Sequence, residues 1–346
     1  MLNNIAYFCD NYTICRLKLE KNISRKFLKI LSEESKFIIT SHERPDADAV
    51  SSMVSLEYLL NILGKEVLCL SSDVPDDKFS FIDDRKRIVY IDDHKTDSID
   101  LSEFVLIVLD TNDIKNTGRI EKEISPFVKT VFFIDHHSYK LSNENKYFIR
   151  VSASSTCEII YSIYKHFKVA IPKEIGDALY SGIISDTGSF HYPKTSSYTF
   201  KIASELVKNG TDPNSIYLLL FERNSLSSLR IHSLVLQTLD IVDESFAFME
   251  ISREMLMTSG ASDEESESLI NIPLLSLGIV ASVIFKERSD GVKKVSMRSK
   301  GTIDVASFAL SYGGGGHRNA AGFKLKNSDS FDQVKKALIE FLRTYK

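Results

Sequence analysis

No stretch of the chain reaches the roughly 18 consecutive apolar residues of a membrane span. Met1 to Arg16 also lacks the basic start and long apolar centre of a secretory signal, so a cytoplasmic protein is expected. Cysteine is scarce: Cys9, Cys15, Cys69 and Cys157 show no CxxC spacing, and the last two lie inside apolar patterns. This excludes a disulfide scaffold and structural zinc, and points to reduced, mostly buried thiols. An excess of one charge is missing as well. With 43 Lys and Arg against 47 Asp and Glu, the net charge is -4 and the pI near 6.1. That removes the basic field on which long duplex nucleic acid depends and favours small or short anionic substrates. Internal repeats and low-complexity tracts are absent too.

What remains is an ordinary globular composition, 43% hydrophobic and 26% charged over 346 residues, a length that suits two domains. From Lys36 to about Gly210, short apolar runs alternate with helix-length amphipathic stretches. Strands are predicted at 37–40, 67–70, 88–91, 104–109 and 131–134, with a helix over 50–63 ending at Gly64. This is the rhythm of a parallel α/β sheet buried on both faces. After Asp135 the pattern reads as helical, and Ser155-Thr156-Cys157-Glu158 has the spacing of a capping box. Asp212-Pro213-Asn214 breaks the chain, and 215–236 reads as one or two helices. A second, smaller α/β domain with a mixed sheet follows: strands at 246–251, 278–285 and 292–297, a helix at 305–310, the loop Gly313 to His317, a strand near 322–325 and a helix over 331–342. The expected divisions are an N-terminal extension at 1–22, a catalytic domain at 23–212, a helical linker at 213–239 and a substrate-binding domain at 240–346.

The chemistry-bearing residues follow the predicted strands and one helix. His42, Asp46 and Asp48 come after the first strand, Asp110 after Val105 to Leu109, Asp135-His136-His137 after Val131 to Ile134, and Asp186 after Ile183-Ile184-Ser185. The carboxyl ends of parallel strands form the ligand crevice of an open α/β sheet, so four acidic clusters are expected to converge. Their mutual repulsion in a partly desolvated site, several kcal/mol, calls for cations. Imidazoles with hard oxygens suit Mn(II), Fe(II), Co(II) or Zn(II), and Mg(II) less well. The adjacent His136 and His137 are expected to point different ways, one toward metal and one toward substrate. Asp186, near a helix C-terminus, opposes the helix dipole and needs a compensating partner. Ser154, Ser155 and Thr156 start a helix, where free N–H groups favour an anion and an N-cap is the plain reading. Arg119 and the run Asp263-Glu264-Glu265 read as surface, the latter as a solvated helix start.

Together His42-x3-Asp46-x-Asp48, Asp110, Asp135-His136-His137 and Asp186-Thr187-Gly188 resemble the four ordered motifs of the DHH phosphoesterase superfamily. The tail, with Arg298-Ser299-Lys300-Gly301, Asp304-Val305-Ala306 and Gly313-Gly314-Gly315-Gly316-His317-x2-Ala320-Ala321-Gly322, resembles the DHH-associated C-terminal domain of nanoRNases, pAp phosphatases and soluble cyclic di-AMP phosphodiesterases. The resemblance spans roughly residues 30–345 and implies an active site in the cleft between two domains. It also implies two divalent ions, usually manganese, with His42 and Asp46 on one, Asp48, His136 and Asp186 on the other, and Asp110 shared. Asp110, Asp135 and His137 would be the catalytic set, His137 contacting the scissile phosphate and Asp135 orienting a histidine. Arg298, Ser299, Gly314, Gly315, Gly316 and His317 would bind substrate, the glycine N–H groups forming an anion nest. Lys300 and Arg318 read as solvated charges. The chain departs from the pattern at Ala47 and Ser51, where glycine is frequent and a stiffer loop is expected, and at His191, where arginine is frequent.

The activity so implied is manganese-dependent hydrolysis of short nucleotides (cyclic di-AMP, linear pApA, oligoribonucleotides of a few residues, 3',5'-bisphosphoadenosine) by hydroxide attack on phosphorus between two metals. No membrane partner or long duplex is expected, and a homodimer fits the family habit. Two alternatives stand beside it: a family II-like inorganic pyrophosphatase, disfavoured by the GGGGH signature, and a nucleotide-binding regulator without turnover, disfavoured by the full ligand set.

Overall fold

The computed structural model describes residues 24–345 except 75, 94–98, 139–145, 289 and 327–329. Cys9, Cys15 and the N-terminal extension lie outside the described residues. The chain forms two compact units that divide after Arg223.

In the first unit, α1 (Arg25–Glu33) precedes β1 (Lys36–Thr40), α2 (Ala47–Ile62), β2 (Glu66–Ser71), β3 (Ile88–Tyr90), β4 (Val105–Leu109), α3 (Arg119–Glu123), β5 (Thr130–Asp135) and β6 (Tyr147–Ile149). Four helices follow: α4 (Thr156–Phe167), α5 (Lys173–Asp186), α6 (Ser197–Lys208) and α7 (Pro213–Phe221). All six strands are parallel, in the order β3-β2-β1-β4-β5-β6. Successive strand residues feed opposite faces. Ile39, Ile107 and Ile134 pack under α2, α4 and α5, whereas Ile38, Leu106 and Phe133 pack against Ile120 and Ile124 at α3. The chain runs outward from β1 through β2 to β3 and then crosses back to the other side of β1 with β4, which makes the β1–β4 pair the switch point where such sheets open a crevice.

The predictions for β1 to β5 hold to within one residue. β6 was not foreseen: three residues after a long connection are too few to show a period, yet Phe148 is buried against Phe27. Ala47 does not stiffen a loop; it is the first residue of α2, and both it and Ser51 are buried.

The second unit holds α8 (Leu226–Leu236), β7 (Asp240–Val242), β8 (Phe246–Ile251), α9 (Arg253–Ser259), β9 (Ala281–Glu287), β10 (Lys293–Ser299), α10 (Val305–Ser311), β11 (Gly315–His317), β12 (Ala320–Lys324) and α11 (Phe331–Arg343). Its sheet runs β11-β12-β10-β9-β8-β7, with β8 and β9 parallel and the other neighbours antiparallel. One face packs on α10 and α11, the other on α8 and the segment Leu269–Ile272. Asp263 is not solvated: it meets the ammonium of buried Lys286 at 2.9 Å.

Candidate metal centre

The site is built at the carboxyl ends of β1, β4 and β5. After β1, the His42 Nδ1 lies 2.9 Å from the Glu43 carbonyl oxygen, which leaves Nε2 facing Asp110 Oδ2 at 3.7 Å. Asp46 caps α2, accepting the N–H groups of Asp48 and Ala49 at 3.0 Å. Cap formation spends one oxygen and turns the next acid, Asp48, into the buried base of the site.

Asp48 is wholly buried and takes the N–H groups of Thr156 and Cys157, at 2.6 and 3.0 Å. The free donors at the start of α4 do hold an anion, and that anion is Asp48 rather than a ligand. Gly182 of α5 makes room for it: a Cβ there would stand 2.7 Å from Asp48 Oδ1 and 2.4 Å from Cys157 Sγ.

Asp110 stops β4 with φ +60°, a left-handed conformation that an aspartate tolerates better than most residues. Its carboxylate accepts the Thr156 hydroxyl at 2.9 Å and lies 3.5 Å from His136 Nε2. His136 Nε2 is also 2.9 Å from Asp186 Oδ2, at the last residue of α5. It is buried and aligned for a hydrogen bond with neither oxygen. A nitrogen close to two carboxylates but out of line with both is arranged as a lone pair facing a shared cation would be.

The two histidines diverge as expected: the side chain of His136 is 4% exposed and that of His137 54%. Asp135 accepts from the backbone N–H of both and from His137 Nδ1 at 2.8 Å, while Asn112 donates to its other oxygen at 2.7 Å. Asp135 therefore orients the outward His137, leaving Nε2 of that ring toward solvent.

Among the described residues, three groups of side chains bring their candidate ligand atoms within 4.8 Å of one another: His42 with Asp46 and Asp110; Asp48 with His136 and Asp186; and Asp110 with Asp135, His136 and His137. All six residues expected to hold metal are thus gathered, and the mixture of buried carboxylates and imidazoles fits divalent ions.

Electrostatics says the same. Burial, then the Asp110 charge, pushes the Asp46 and Asp48 carboxyls up. Burial pulls His42 down, but Asp110 beside it raises the ring to about 9; His136, between Asp110 and Asp186, rises against burial to about 10. Asp110, against its own burial, is held below the usual carboxylate range by those two rings. Without metal, protons on the imidazoles do the neutralising. Each must leave before its ring can ligate, so ion binding releases protons and strengthens with pH. Titration calorimetry with Mn(II) is expected to show the dissociation constant falling by about tenfold or more per pH unit between pH 6 and 8. An affinity independent of pH over that range would reject the assignment.

Sequence reasoning missed Asn112 and Lys194 as neighbours of the cluster, since nothing in their local pattern marks them, and it placed Thr156 only at a helix start. It misread Glu158. Ser155 caps α4 as expected, accepting the Glu158 N–H at 3.1 Å. The Glu158 carboxylate does not return to Ser155; it turns inward to Ser154, Thr199 and Arg150. Arg119 is on the surface, paired with Asp92 and Glu123.

In the second unit, Gly313 and Gly314 close α10 as a left-handed cap: their N–H groups donate to Leu310 and Ala309, so those two are spent within the fold. Gly315 to His317 pair with β12 as the sheet's edge. Gly316, at φ +140°, comes so close that a Cβ would stand 2.4 Å from the Ala320 carbonyl oxygen. Of the expected nest, the N–H groups of β11 not paired with β12 remain available. Arg298 lies on β10, while the Ser299 hydroxyl is buried, donating to Ile303 and accepting from Asn319. Lys300 and Arg318 are tied to the carbonyl oxygens of Ser276 and Thr302.

An open parallel sheet with buried acids and imidazoles at its switch point defines an α/β protein with a site able to hold divalent metal. Its family follows from comparison: residues 36–183 match the DHH family, N-terminal domain, and residues 244–344 match the DHHA1 domain. The chain belongs to the DHH family of phosphoesterases and is a hydrolase. The bifunctional oligoribonuclease and PAP phosphatase NrnA of Bacillus subtilis is 27% identical over 316 residues, 89% of this chain and 95% of that one. The cyclic-di-AMP phosphodiesterase PdeA of Listeria monocytogenes is 25% identical over 340 residues, 93% of this chain but 50% of its own. A solved structure, an exopolyphosphatase-related protein from Bacteroides fragilis, is similar with a TM-score of 0.81 at 26% identity, covering 92% of this chain and 95% of that one. Among the described residues, no helix is long and apolar enough to cross a membrane.

Proposed function

We propose that the protein is a manganese-dependent phosphodiesterase of short nucleotides (linear pApA, oligoribonucleotides of a few residues and cyclic di-AMP), with 3',5'-bisphosphoadenosine a further candidate as a phosphomonoester substrate. The observation that carries this reading is the convergence of His42, Asp46, Asp48, Asp110, His136 and Asp186 at the β1–β4 switch point. The likeness to an oligoribonuclease and PAP phosphatase over nearly the whole of both chains supports the substrate class.

His42 and Asp46 would hold one ion, Asp48, His136 and Asp186 a second, with Asp110 shared. Bound divalent ions would supply a water that ionises near neutral pH and positive charge against the phosphoryl oxygens. The chain's own residues do the rest. Asp135 fixes His137 with Nδ1 turned inward, so that Nε2 is offered to a phosphoryl oxygen. Asn112 keeps Asp135 from rotating. Thr156 holds the Asp110 carboxylate in place from the start of α4. Arg298 and His317 would hold the part of the substrate remote from the cleaved bond.

The deciding experiment is a product time course with Mn(II) on pApA, cyclic di-AMP, 3',5'-bisphosphoadenosine, a five-residue RNA and pyrophosphate. Mononucleotide release from the diesters, faster than phosphate from pyrophosphate, is expected. If all the nucleotides survive intact, or pyrophosphate dominates, the reading is lost.

A further inference from the structure

Lys194 reaches the cluster from the segment that follows α5. Its Nζ lies 3.1 Å from the His136 carbonyl oxygen and 3.4 Å from His136 Nδ1. The backbone that presents it is fastened: the N–H groups of His191 and Tyr192 donate to the Thr187 carbonyl oxygen, and that of Thr195 donates to Tyr192 across the Pro193-Lys194 turn. Ser196 then caps α6. Among the described residues, no carboxylate lies within ion-pair distance of Nζ. Lys194 is exposed, so its ammonium borders both the cluster and the solvent from which a ligand would come, and it is paired with no acid.

An ammonium has three donors, and the His136 carbonyl oxygen occupies one. At 3.4 Å the approach to Nδ1 is at the long limit of a hydrogen bond, so the ammonium has donors to spare once the carbonyl oxygen is taken. The group that satisfies those donors and the positive charge together is an anion with several oxygens.

We propose that Lys194 is a phosphate-binding residue of this site, its ammonium anchored on the His136 carbonyl and turned to a non-bridging oxygen of the phosphoryl group brought to the cluster. This deepens the preceding reading in requiring a phosphoryl ligand at the cluster, whatever nucleotide carries it. Such a charge-assisted hydrogen bond acts on binding of the ligand rather than of the metal.

The test is calorimetric titration of the Mn(II)-loaded full chain with inorganic phosphate, for the wild type, Lys194→Met and Lys194→Arg, with Mn(II) titration of each as the control. Lys194→Met is expected to weaken phosphate binding by about tenfold, and Lys194→Arg by no more than about threefold, with Mn(II) affinity unchanged in both. An unaltered phosphate affinity in Lys194→Met overturns the proposal, and so does a parallel loss of Mn(II) affinity, which would mark a structural role at His136. Because the probe is phosphate, a wild type that binds it but cleaves no nucleotide defeats the substrate reading and leaves this one standing.

Discussion

Asp110→Ala is expected to lower kcat by about a thousandfold or more without unfolding the protein. Asp110 is 3% exposed and belongs to two of the three ligand groups, facing His42 Nε2 and His136 Nε2 from its two oxygens. Both candidate ion positions lose a ligand at once. Folding depends on it less: the carboxylate accepts one hydroxyl, from Thr156, while the backbone N–H keeps its bond to Ile134. Alanine at a left-handed φ costs roughly 1–2 kcal/mol, so Asp110→Asn, which tolerates that φ, separates strain from ligand loss. Both variants should be inactive on pApA with Mn(II) and retain a native circular dichroism spectrum. Near-normal turnover in either would refute the shared-ligand role.

The largest loss of stability is expected from Glu158→Ala, about 3–5 kcal/mol by urea unfolding. Glu158 has a side chain 4% exposed, and it faces the 13%-exposed side chain of Arg150 at 3.3 Å. The same carboxylate accepts the hydroxyls of Ser154 and Thr199. Removing it strands a guanidinium inside the fold and releases the segment whose next residues, Thr156 and Cys157, grip Asp48. Mn(II) affinity should fall with it. A loss below about 1 kcal/mol would mean that the pair is dispensable.

The misreading of Glu158 shows why pattern alone was insufficient. Ser-x-x-Glu before an apolar run describes the local half of the arrangement, and Ser155 does cap the helix. The other half depends on Arg150 and Thr199, 8 and 41 residues away in sequence. Lys194 escaped notice for the same reason: its partner is 58 residues distant. The four-glycine run likewise reads as one loop in sequence, yet its first half ends a helix and its second half is an edge strand.

Sequence alone determined five of the six parallel strands of the first unit and the identity of the acids and histidines that follow them. A strand buried on both faces must be apolar throughout, and polar residues then mark its end. In the second unit β8, β9, β10 and β12 were legible as well, as was the start of α11, whereas β7 and β11 were not. Only the tertiary structure decided which way each polar group faces: that Asp48 takes the N-terminus of α4, that Asp135 turns to His137 and that His136 Nε2 stands between Asp110 and Asp186. Those choices belong to residues far apart along the chain, and the energy that settles them, desolvation against pairing, exists only once the fold has brought them together.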